Sequence, residues 1–444
     1  MSLRQPIVAV LGHVDHGKTT LLDRIRGTAV ATREPGAITQ HIGASFVPAK
    51  VLEEFCGELL KLFKFKIEIP GLLFVDTPGH SAFSNLRRRG GSVADIAILV
   101  IDLMEGVQPQ TVESLEILKA YKTPFVVAAN KLDLIPGWKS KPNKPFLESF
   151  KTADSSVLRM LDEKVYTIIG ALSYHGINSE RYDRIRDFTK TVAVVPVSAK
   201  TGEGLPDLLA ILTGLTQQYM KKRLTVTSGP AKGTILEVRE DVGLGVNVNV
   251  IIYDGVLHKN DLIVLGGKQK PFTTKVRAIL VPKPLDEIRD PREKFSELEE
   301  VHAAAGVKIV APGLEDAVAG GPIYVASNED EVKELLKKVE AEIKSIRILT
   351  DKLGVILKSD TLGSLEALVN ELKKSDIPIR IADVGDISKR DVVEASIVKN
   401  EDPFFGVILG FNVKVLPDAE EEALKTGVKI FQNNVIYKLL EDYE

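Results

Sequence analysis

The chain has 444 residues, of which 44% are hydrophobic and 27% charged, and its formal net charge is −3. This length predicts two to four domains, and the near-neutral charge excludes a protein that holds nucleic acid through bulk basic charge. Cys56 is the only cysteine, which excludes an internal disulfide and fits a reducing cytoplasm. No apolar run reaches the length of a membrane span, and the N-terminus lacks a signal-peptide core.

A glycine-containing loop follows the first strand-like run of the chain. Ile7–Leu11 is apolar, the next residues read Gly12-His-Val-Asp-His-Gly-Lys-Thr19, and apolar residues then recur at helical spacing. This is the phosphate-binding loop pattern, in which backbone N–H groups and a helix N-terminus bind phosphate. Lys18 can reach the outer phosphates, and the Thr19 hydroxyl can ligate Mg²⁺. We expect the nucleotide to contact Asp15, His16, Gly17, Lys18, Thr19 and Thr20.

Residues 1–225 alternate strand-like and helical segments. Four apolar runs end in polar residues, and a helical pattern at Gln110–Tyr121 lies among them; the runs are Leu72–Asp76, Ile96–Asp102, Phe125–Asn130 and Thr191–Ser198. The alternation predicts a parallel sheet wrapped by helices, with ligands at the carboxyl ends of its strands. Residues 139–190, a Lys/Pro-rich stretch followed by helical sequence, are interpreted as a packing insertion rather than a contact site.

Two segments between the phosphate loop and residue 96 predict a γ-phosphate sensor. Asp76-Thr-Pro-Gly79 follows a strand, so Asp76 can hold the Mg²⁺ shell through water and the Gly79 N–H can bond the γ-phosphate. Thr39 can ligate Mg²⁺ only while that phosphate is present, which makes its segment a switch. His80 is the candidate for positioning the attacking water, with Val14 and Ile38 as a gate beside it. His13 and His16 have no Cys or carboxylate partner set and are interpreted as loop residues.

Two later motifs predict the base that is bound. In Asn130-Lys131-Leu-Asp133, the Asp133 carboxylate can accept the N1–H and the 2-amino group of guanine, which adenine does not offer. Lys131 would lie along the nucleotide, and Asn130 would brace the loops. Ser198-Ala199-Lys200 follows the next strand, and its backbone N–H groups can meet the guanine O6.

The sequence rhythm changes at residue 226. Short alternating strands predict a small antiparallel β-barrel over 226–327, with Asp254-Gly255 as a hairpin turn and 291–306 as a charged loop or short helix. A linker helix packed on a neighbour is predicted over 328–346. An α/β domain is predicted over 347–432, and 433–444 is predicted to be helical. The fold class is therefore an α/β P-loop domain followed by a β-barrel and an α/β third domain.

Gly12-His-Val-Asp-His-Gly-Lys-Thr19 together with Asp76-Thr-Pro-Gly-His80 resembles the translational GTPases. Within them the chain resembles the universal initiation GTPases, bacterial initiation factor two and its archaeal and eukaryotic counterpart, initiation factor five B. The archaeal/eukaryotic branch is indicated by five stretches: Arg33–Ala44, Gly106–Glu113, Asn130–Trp138, Asp254–Val264 and Asp360–Leu368. The likeness covers nearly the whole chain.

This resemblance implies a ribosome-dependent GTPase that hydrolyses GTP to GDP and phosphate and promotes subunit joining and initiator tRNA accommodation. By match, Lys18, Thr39, Gly79 and His80 are catalytic, and Thr19, Thr39 and Asp76 bind Mg²⁺. Asp15 is the position at which family members hold Na⁺ or K⁺. Both ribosomal subunits and their rRNA are the implied partners of a monomeric, cytoplasmic protein. The family continues through a long helix into a barrel that holds initiator tRNA, so we expect a chain ending at Glu444 to bind that tRNA weakly or not at all.

Two alternatives stay open at this point. GTPases that support sulfate activation share the Gly-His-Val-Asp-His-Gly-Lys pattern, but a second β-barrel follows their first, whereas the third domain here is predicted to be α/β. An adenylyl-transfer assay separates the two. A GTP-binding scaffold without hydrolysis is disfavoured by His80 and Thr39, and it would gain if ribosomes failed to stimulate turnover.

Overall fold

The computed structural model describes most of the chain. The residues outside the description are 1–2, 32–39, 42–43, 63–65, 76–86, 89–90, 220, 222–223, 226–227, 242, 269, 283–294, 345–347, 350–352 and 444. In the remainder, three large sheets follow one another along the chain.

The first sheet confirms the predicted parallel architecture. Its strand order is β2-β3-β4-β1-β7-β8-β10-β9, parallel from β4 to β9 and antiparallel at β2 and β3. The strands are β1 Ile7–Gly12, β2 Gln40–His41, β3 Ala44–Pro48, β4 Gly71–Val75, β7 Ile96–Asp102, β8 Phe125–Asn130, β9 Ser179–Arg181 and β10 Val192–Pro196; β5 Arg87–Arg88 and β6 Gly91–Ser92 form a separate pair. Every residue of β1, β4 and β7 is buried, because helices cover parallel sheets on both faces.

The described residues form six helices beside this sheet: α1 Lys18–Ala31, α2 Ala49–Leu62, α3 Pro109–Ala120, α4 Phe146–Phe150, α5 Ser155–Tyr174 and α6 Leu205–Tyr219. The 139–190 stretch contributes α4, α5 and β9. Helix α5 buries a stripe at helical spacing, formed by Val157, Leu161, Val165, Ile168 and Leu172. Since parallel strands end at one edge, the loops after β1, β7, β8 and β10 meet there.

The second sheet is antiparallel, as predicted, in the order β15-β14-β20-β11-β12-β19-β16-β17. Its strands are β11 Lys232–Asp241, β12 Gly245–Asp254, β14 Leu262–Leu265, β15 Phe272–Lys275, β16 Ala278–Pro282, β17 Phe295–Leu298, β19 Ala305–Val310 and β20 Pro322–Ala326. Strands β13 Val256–His258 and β18 Glu300–His302 pair separately.

Two predictions within this region were wrong. Over 291–306, the described residues 295–306 form strands, because β17 pairs with β16 at the sheet edge, where charged side chains can face solvent. Asp254-Gly255 is not a hairpin turn, since β12 and β13 pair with different partners. Gly255 has φ +76°, and a Cβ there would lie 2.4 Å from the Pro230 carbonyl oxygen, so glycine is needed where the chain leaves the sheet.

The third sheet has the order β21-β23-β22-β24-β25 and is parallel except at β21. It comprises β21 Ile348–Leu349, β22 Val355–Ser359, β23 Ile379–Val384, β24 Val407–Phe411 and β25 Lys429–Asn433, with α8 Leu362–Lys374, α9 Lys389–Glu401, α10 Pro417–Thr426 and α11 Ile436–Tyr443. Helix α7 Glu329–Lys344 precedes it and buries Val339 and Ile343 in a cluster that contains residues of both neighbouring sheets. These elements confirm the predicted α/β third region.

Candidate nucleotide-binding site

The phosphate loop runs from the end of β1 to the start of α1. Helix α1 begins at Lys18, and the Leu21 N–H donates to the Gly17 carbonyl oxygen at 2.8 Å. Gly17 has φ +91°, and a Cβ there would lie 2.4 Å from Asn130 Nδ2. The position therefore requires glycine for both its backbone conformation and its close neighbour. Thr19 and Thr20 are exposed on the first turn of α1.

The Lys18 ammonium lies over this loop. Its Nζ donates to the carbonyl oxygens of Gly12 at 2.7 Å and His13 at 2.6 Å. Burial lowers the pKa of Lys18, while the Asp15 carboxylate acts in the opposite direction. A point charge next to a helix N-terminus creates a local positive field that suits a polyphosphate.

His16 is buried between two loops rather than lying free in one. Its Nδ1 accepts the Asp102 N–H at 3.3 Å, and its Nε2 lies 3.3 Å from Glu105 Oε2. Burial lowers the pKa of His16, so the imidazole is neutral at pH 7 and holds its proton on Nε2. No cluster of three or more metal-ligating side chains occurs among the described residues.

The Asn130 side chain joins two loops at the sheet edge. Its Nδ2 donates to the His16 carbonyl oxygen at 2.8 Å, and its Oδ1 accepts the Ala199 N–H at 2.9 Å. The amide is almost fully buried, with both of its polar atoms bonded to backbone groups. The phosphate loop and the loop at 198–200 are therefore held at a fixed separation.

Asp133 and Lys131 are held by neighbouring loops. The Ser198 hydroxyl donates to Asp133 Oδ1 at 2.6 Å, and the Thr201 N–H donates to the same hydroxyl oxygen at 3.1 Å. Lys131 has a left-handed backbone, φ 67°, and its Nζ lies 2.6 Å from Asp102 Oδ2. The hydrogen bond to Asp102 raises the pKa of Lys131.

Most of the predicted nucleotide contacts meet at one edge of the first sheet. These residues are Asp15, His16, Gly17, Lys18, Thr19, Thr20, Asn130, Lys131, Asp133, Ser198, Ala199 and Lys200. Thr39, Asp76, Gly79 and His80 lie outside the described residues, as does Ile38. Val14 is exposed, and its N–H donates to Gln110 Oε1 at 2.9 Å.

Sequence reasoning missed several side chains that hold these loops. Asp102 ends a strand that the sequence did predict, but its partner Lys131 was not foreseen. Arg24 on α1 donates to the carbonyl oxygens of Ala199, at 3.2 Å, and Lys200. Glu203 accepts a hydrogen bond from Trp138 across 65 residues of sequence. The position of Asp102 at the end of a predicted strand was the one sequence feature that could have indicated its role at this edge.

Comparison with known proteins shows which family the chain belongs to. A family model described as the elongation factor Tu GTP binding domain matches residues 3–218, and one described as translation-initiation factor 2 matches residues 326–444. A protein of Staphylothermus marinus named probable translation initiation factor IF-2 is 62% identical over 99% of this chain and 73% of its own length. The chain belongs to the translation initiation factor IF-2 family. The family member from Hyperthermus butylicus is 61% identical, over 100% of this chain and 72% of its own length.

A solved IF-2 family structure shares the architecture. The crystal structure of GDP-bound aIF5B from Aeropyrum pernix matches with a TM-score of 0.93 and 56% identity, over 99% of this chain and 74% of that chain. The chain is thus a translational GTPase of initiation that takes guanine nucleotides and acts with the ribosome. The match of 326–444 to initiation factors disfavours the sulfate-activation alternative. Among the helices that the structure describes, none is long and apolar enough to cross a membrane.

Proposed function

We propose that this IF-2 family chain binds GTP with Mg²⁺ at the carboxyl edge of the first sheet and hydrolyses it to GDP and phosphate. The observation that carries the proposal is the Asn130 amide, which bonds the phosphate loop at 2.8 Å and the loop at 198–200 at 2.9 Å. One buried side chain thereby fixes the distance between a place for phosphates and a place for a base. That spacing suits a single nucleotide lying across the edge.

In this proposal Asp133 selects guanine. Ser198 bonds only Oδ1 of the Asp133 carboxylate, at 2.6 Å, and carboxylate oxygens accept more than one hydrogen bond. The guanine N1–H and 2-amino group would be the further donors, and adenine would leave the carboxylate unpaired. Lys131 would lie along the nucleotide, and the backbone N–H groups of Ala199 and Lys200 would approach O6.

The chemistry of the donor set suits Mg²⁺. Thr19 presents an exposed hydroxyl beside Lys18, and Thr39 and Asp76 add oxygen ligands of the kind that Mg²⁺ prefers. Bound Mg²⁺ would supply charge neutralisation at the β- and γ-phosphate oxygens. Asp15, exposed with φ 63°, is proposed as the carboxylate for a Na⁺ or K⁺ ion.

Hydrolysis in this proposal depends on placement. Lys18 and the Gly79 N–H hold the γ-phosphate, and His80 orients the attacking water. Thr39 closes its segment while the γ-phosphate is present and releases it afterwards. Val14, exposed at the rim of the phosphate loop, forms the gate with Ile38.

At the level of the cell, we propose a cytoplasmic monomer that contacts both ribosomal subunits and their rRNA. Its GTP hydrolysis would promote subunit joining and the accommodation of initiator tRNA.

The decisive experiment measures GTP hydrolysis with and without large ribosomal subunits, in the wild type and in His80→Ala. We expect strong stimulation of the wild type, and a loss of about 10²-fold or more in stimulated hydrolysis for the variant. The GDP affinity of the variant should stay within about twofold. Equal loss of affinity would remove His80 from catalysis, and a wild type that ribosomes do not stimulate would favour a non-hydrolysing scaffold.

A further inference from the structure

We propose that Trp138 and Glu203 form a latch between the two loops that hold the base, and that this latch sets how fast guanine nucleotide leaves. The inference rests on the proposed placement of guanine at Asp133 and residues 198–200. Trp138 and Glu203 would be positioning residues, since both side chains are buried and bond each other.

The Glu203 carboxylate is fully buried and is bonded from the other loop. Its Oε2 accepts the Trp138 Nε1–H at 3.0 Å and the Ser140 hydroxyl, while Oε1 has no hydrogen-bond partner within the described part of the chain. A buried carboxylate with an unsatisfied oxygen lowers stability compared with an apolar residue of the same shape. A role in positioning the loops explains why such a group occurs here.

Trp138 connects Glu203 to the Asp133 loop. The backbone from Lys131 to Trp138 is a series of tight turns: the Leu134 N–H bonds the Lys131 carbonyl oxygen at 2.9 Å, and the Trp138 N–H bonds that of Ile135 at 2.9 Å. The indole is held on its other side by the Phe146 ring, stacked at 5.8 Å between centroids with an interplanar angle of 7°. A displacement of the indole would therefore be transmitted to the Asp133 loop.

Glu203 acts on the base through Ser198. The Ser198 N–H donates to the Glu203 carbonyl oxygen at 2.9 Å, so the two residues close the 198–203 loop. The Ser198 hydroxyl in turn bonds Asp133 at 2.6 Å. Moving Glu203 would shift both the backbone proposed to meet O6 and the hydroxyl that orients Asp133.

The start of the 139–190 stretch lies along the same loop. The Ser140 hydroxyl is 2.9 Å from the Thr201 hydroxyl, and the Asn143 N–H bonds the Thr201 carbonyl oxygen at 3.2 Å. The Gly204 N–H bonds the Lys144 carbonyl oxygen at 3.0 Å. The first residues of this stretch therefore contact the 198–203 loop and its neighbour Gly204, and they hold that loop in place.

The test is the dissociation rate of a fluorescent N-methylanthraniloyl GDP from the intact chain, measured by chase with unlabelled GDP. Trp138→Phe keeps the ring stacked on Phe146 but removes the N–H, and Glu203→Ala removes the acceptor. Both should accelerate release about tenfold, because each breaks a hydrogen bond to a buried charged group. Glu203→Gln keeps an acceptor oxygen and should restore a rate within about twofold of the wild type.

Asp95→Asn is the control for general destabilisation. Asp95 is also a buried carboxylate, but it bonds Arg4 and the Ile7 N–H where β1 and β7 begin, at the opposite end of these strands from the loops after β8 and β10. It should lower the unfolding temperature and leave the release rate within about twofold.

The latch and the proposed function fail in different ways. A wild-type release rate in Trp138→Phe, or equal acceleration in Asp95→Asn, would overturn the latch. Trp138→Phe decides the matter if Glu203→Ala does not fold. A wild type that takes up no labelled GDP would overturn the proposed function instead.

Discussion

At the scale of single residues, the site depends on side chains that connect loops as much as on those aimed at the nucleotide. Asn130, Asp102 and His16 each contact a loop other than their own. The sequence predicted Asn130 because its motif is local. It did not predict the Asp102–Lys131 or Trp138–Glu203 contacts, since one sequence contains no sign of which distant residues meet.

Gly17→Ala tests the contact between the phosphate loop and Asn130. The added Cβ would lie 2.4 Å from Asn130 Nδ2 at a backbone φ of +91°, so Asn130 must move and both loops with it. We expect GDP affinity, measured by calorimetry, to fall by about 10²-fold or more. The reason is that the hydrogen bonds of Asn130 to the phosphate loop and to the loop at 198–200 are both disturbed. Gly27→Ala on α1 is the control, because no atom lies within 4 Å of its added Cβ. Comparable affinities for the two variants would refute the argument.

Asp133→Asn tests base selection. An asparagine oxygen still accepts the Ser198 hydroxyl, so the loop should keep its position. The amide N–H₂ no longer complements the donors of guanine but can bond the 2-oxygen of xanthine. Competition binding should show GDP affinity falling by about 10²-fold or more and xanthosine diphosphate affinity rising. Unchanged GDP affinity would remove Asp133 from the base site.

At the scale of elements, the sequence predicted those strands and helices whose positions are set by the spacing of apolar residues. The buried strands β1, β7 and β8 and helix α7 lie where the patterns indicated them, within a few residues. Strands β17 and β18 were missed because their charged sequence becomes a strand only through pairing at an edge. The Asp254-Gly255 turn was misassigned because a dipeptide does not indicate which strands will pair.

Arg181→Ala tests what holds the inserted helices. The fully buried guanidinium bonds Asp162 and Asp183, each at 2.6 Å, and lies 4.2 Å from the Phe150 ring centroid. Removing it should cost about 3 kcal/mol of unfolding free energy, as for other broken buried ion pairs. Hydrogen exchange should rise first in α5. Arg159→Ala, on the exposed face of α5, is the control, and equal protection in both variants would contradict this account.

At the scale of the whole molecule, the first and third regions meet through α3 and α8. A cavity there is lined by Glu113, Glu116, Ala367 and Glu371, among others, and the Tyr121 hydroxyl donates to Glu366 at 3.2 Å. Burial, with the Glu371 carboxylate as a second cause, raises the pKa of Glu113 to about 7. The contact therefore becomes less favourable when Glu113 ionises.

Glu113→Gln should remove this penalty. Because the folded-state pKa of about 7 exceeds the ordinary value of 4.5, the wild type loses stability as pH rises from 4.5 through 7, by about 3 kcal/mol in total. The variant should gain stability relative to the wild type at pH 8 and gain little at pH 5. Denaturant unfolding can be followed by the emission of Trp138, the only tryptophan.

Glu116→Gln serves as the control for loss of a carboxylate from the same helix. Its side chain is about one-third exposed and is bonded by Lys119. A gain in Glu113→Gln that is equal at pH 5 and pH 8 would contradict the assigned pKa.

The central claim is that the edge of the first sheet binds a guanine nucleotide. Calorimetric titration of the chain with GDP and with ADP, in the presence of Mg²⁺, tests it most directly. The account predicts one GDP bound per chain and no measurable ADP binding. Absence of heat with GDP from folded protein, or equal affinity for ADP, would contradict it.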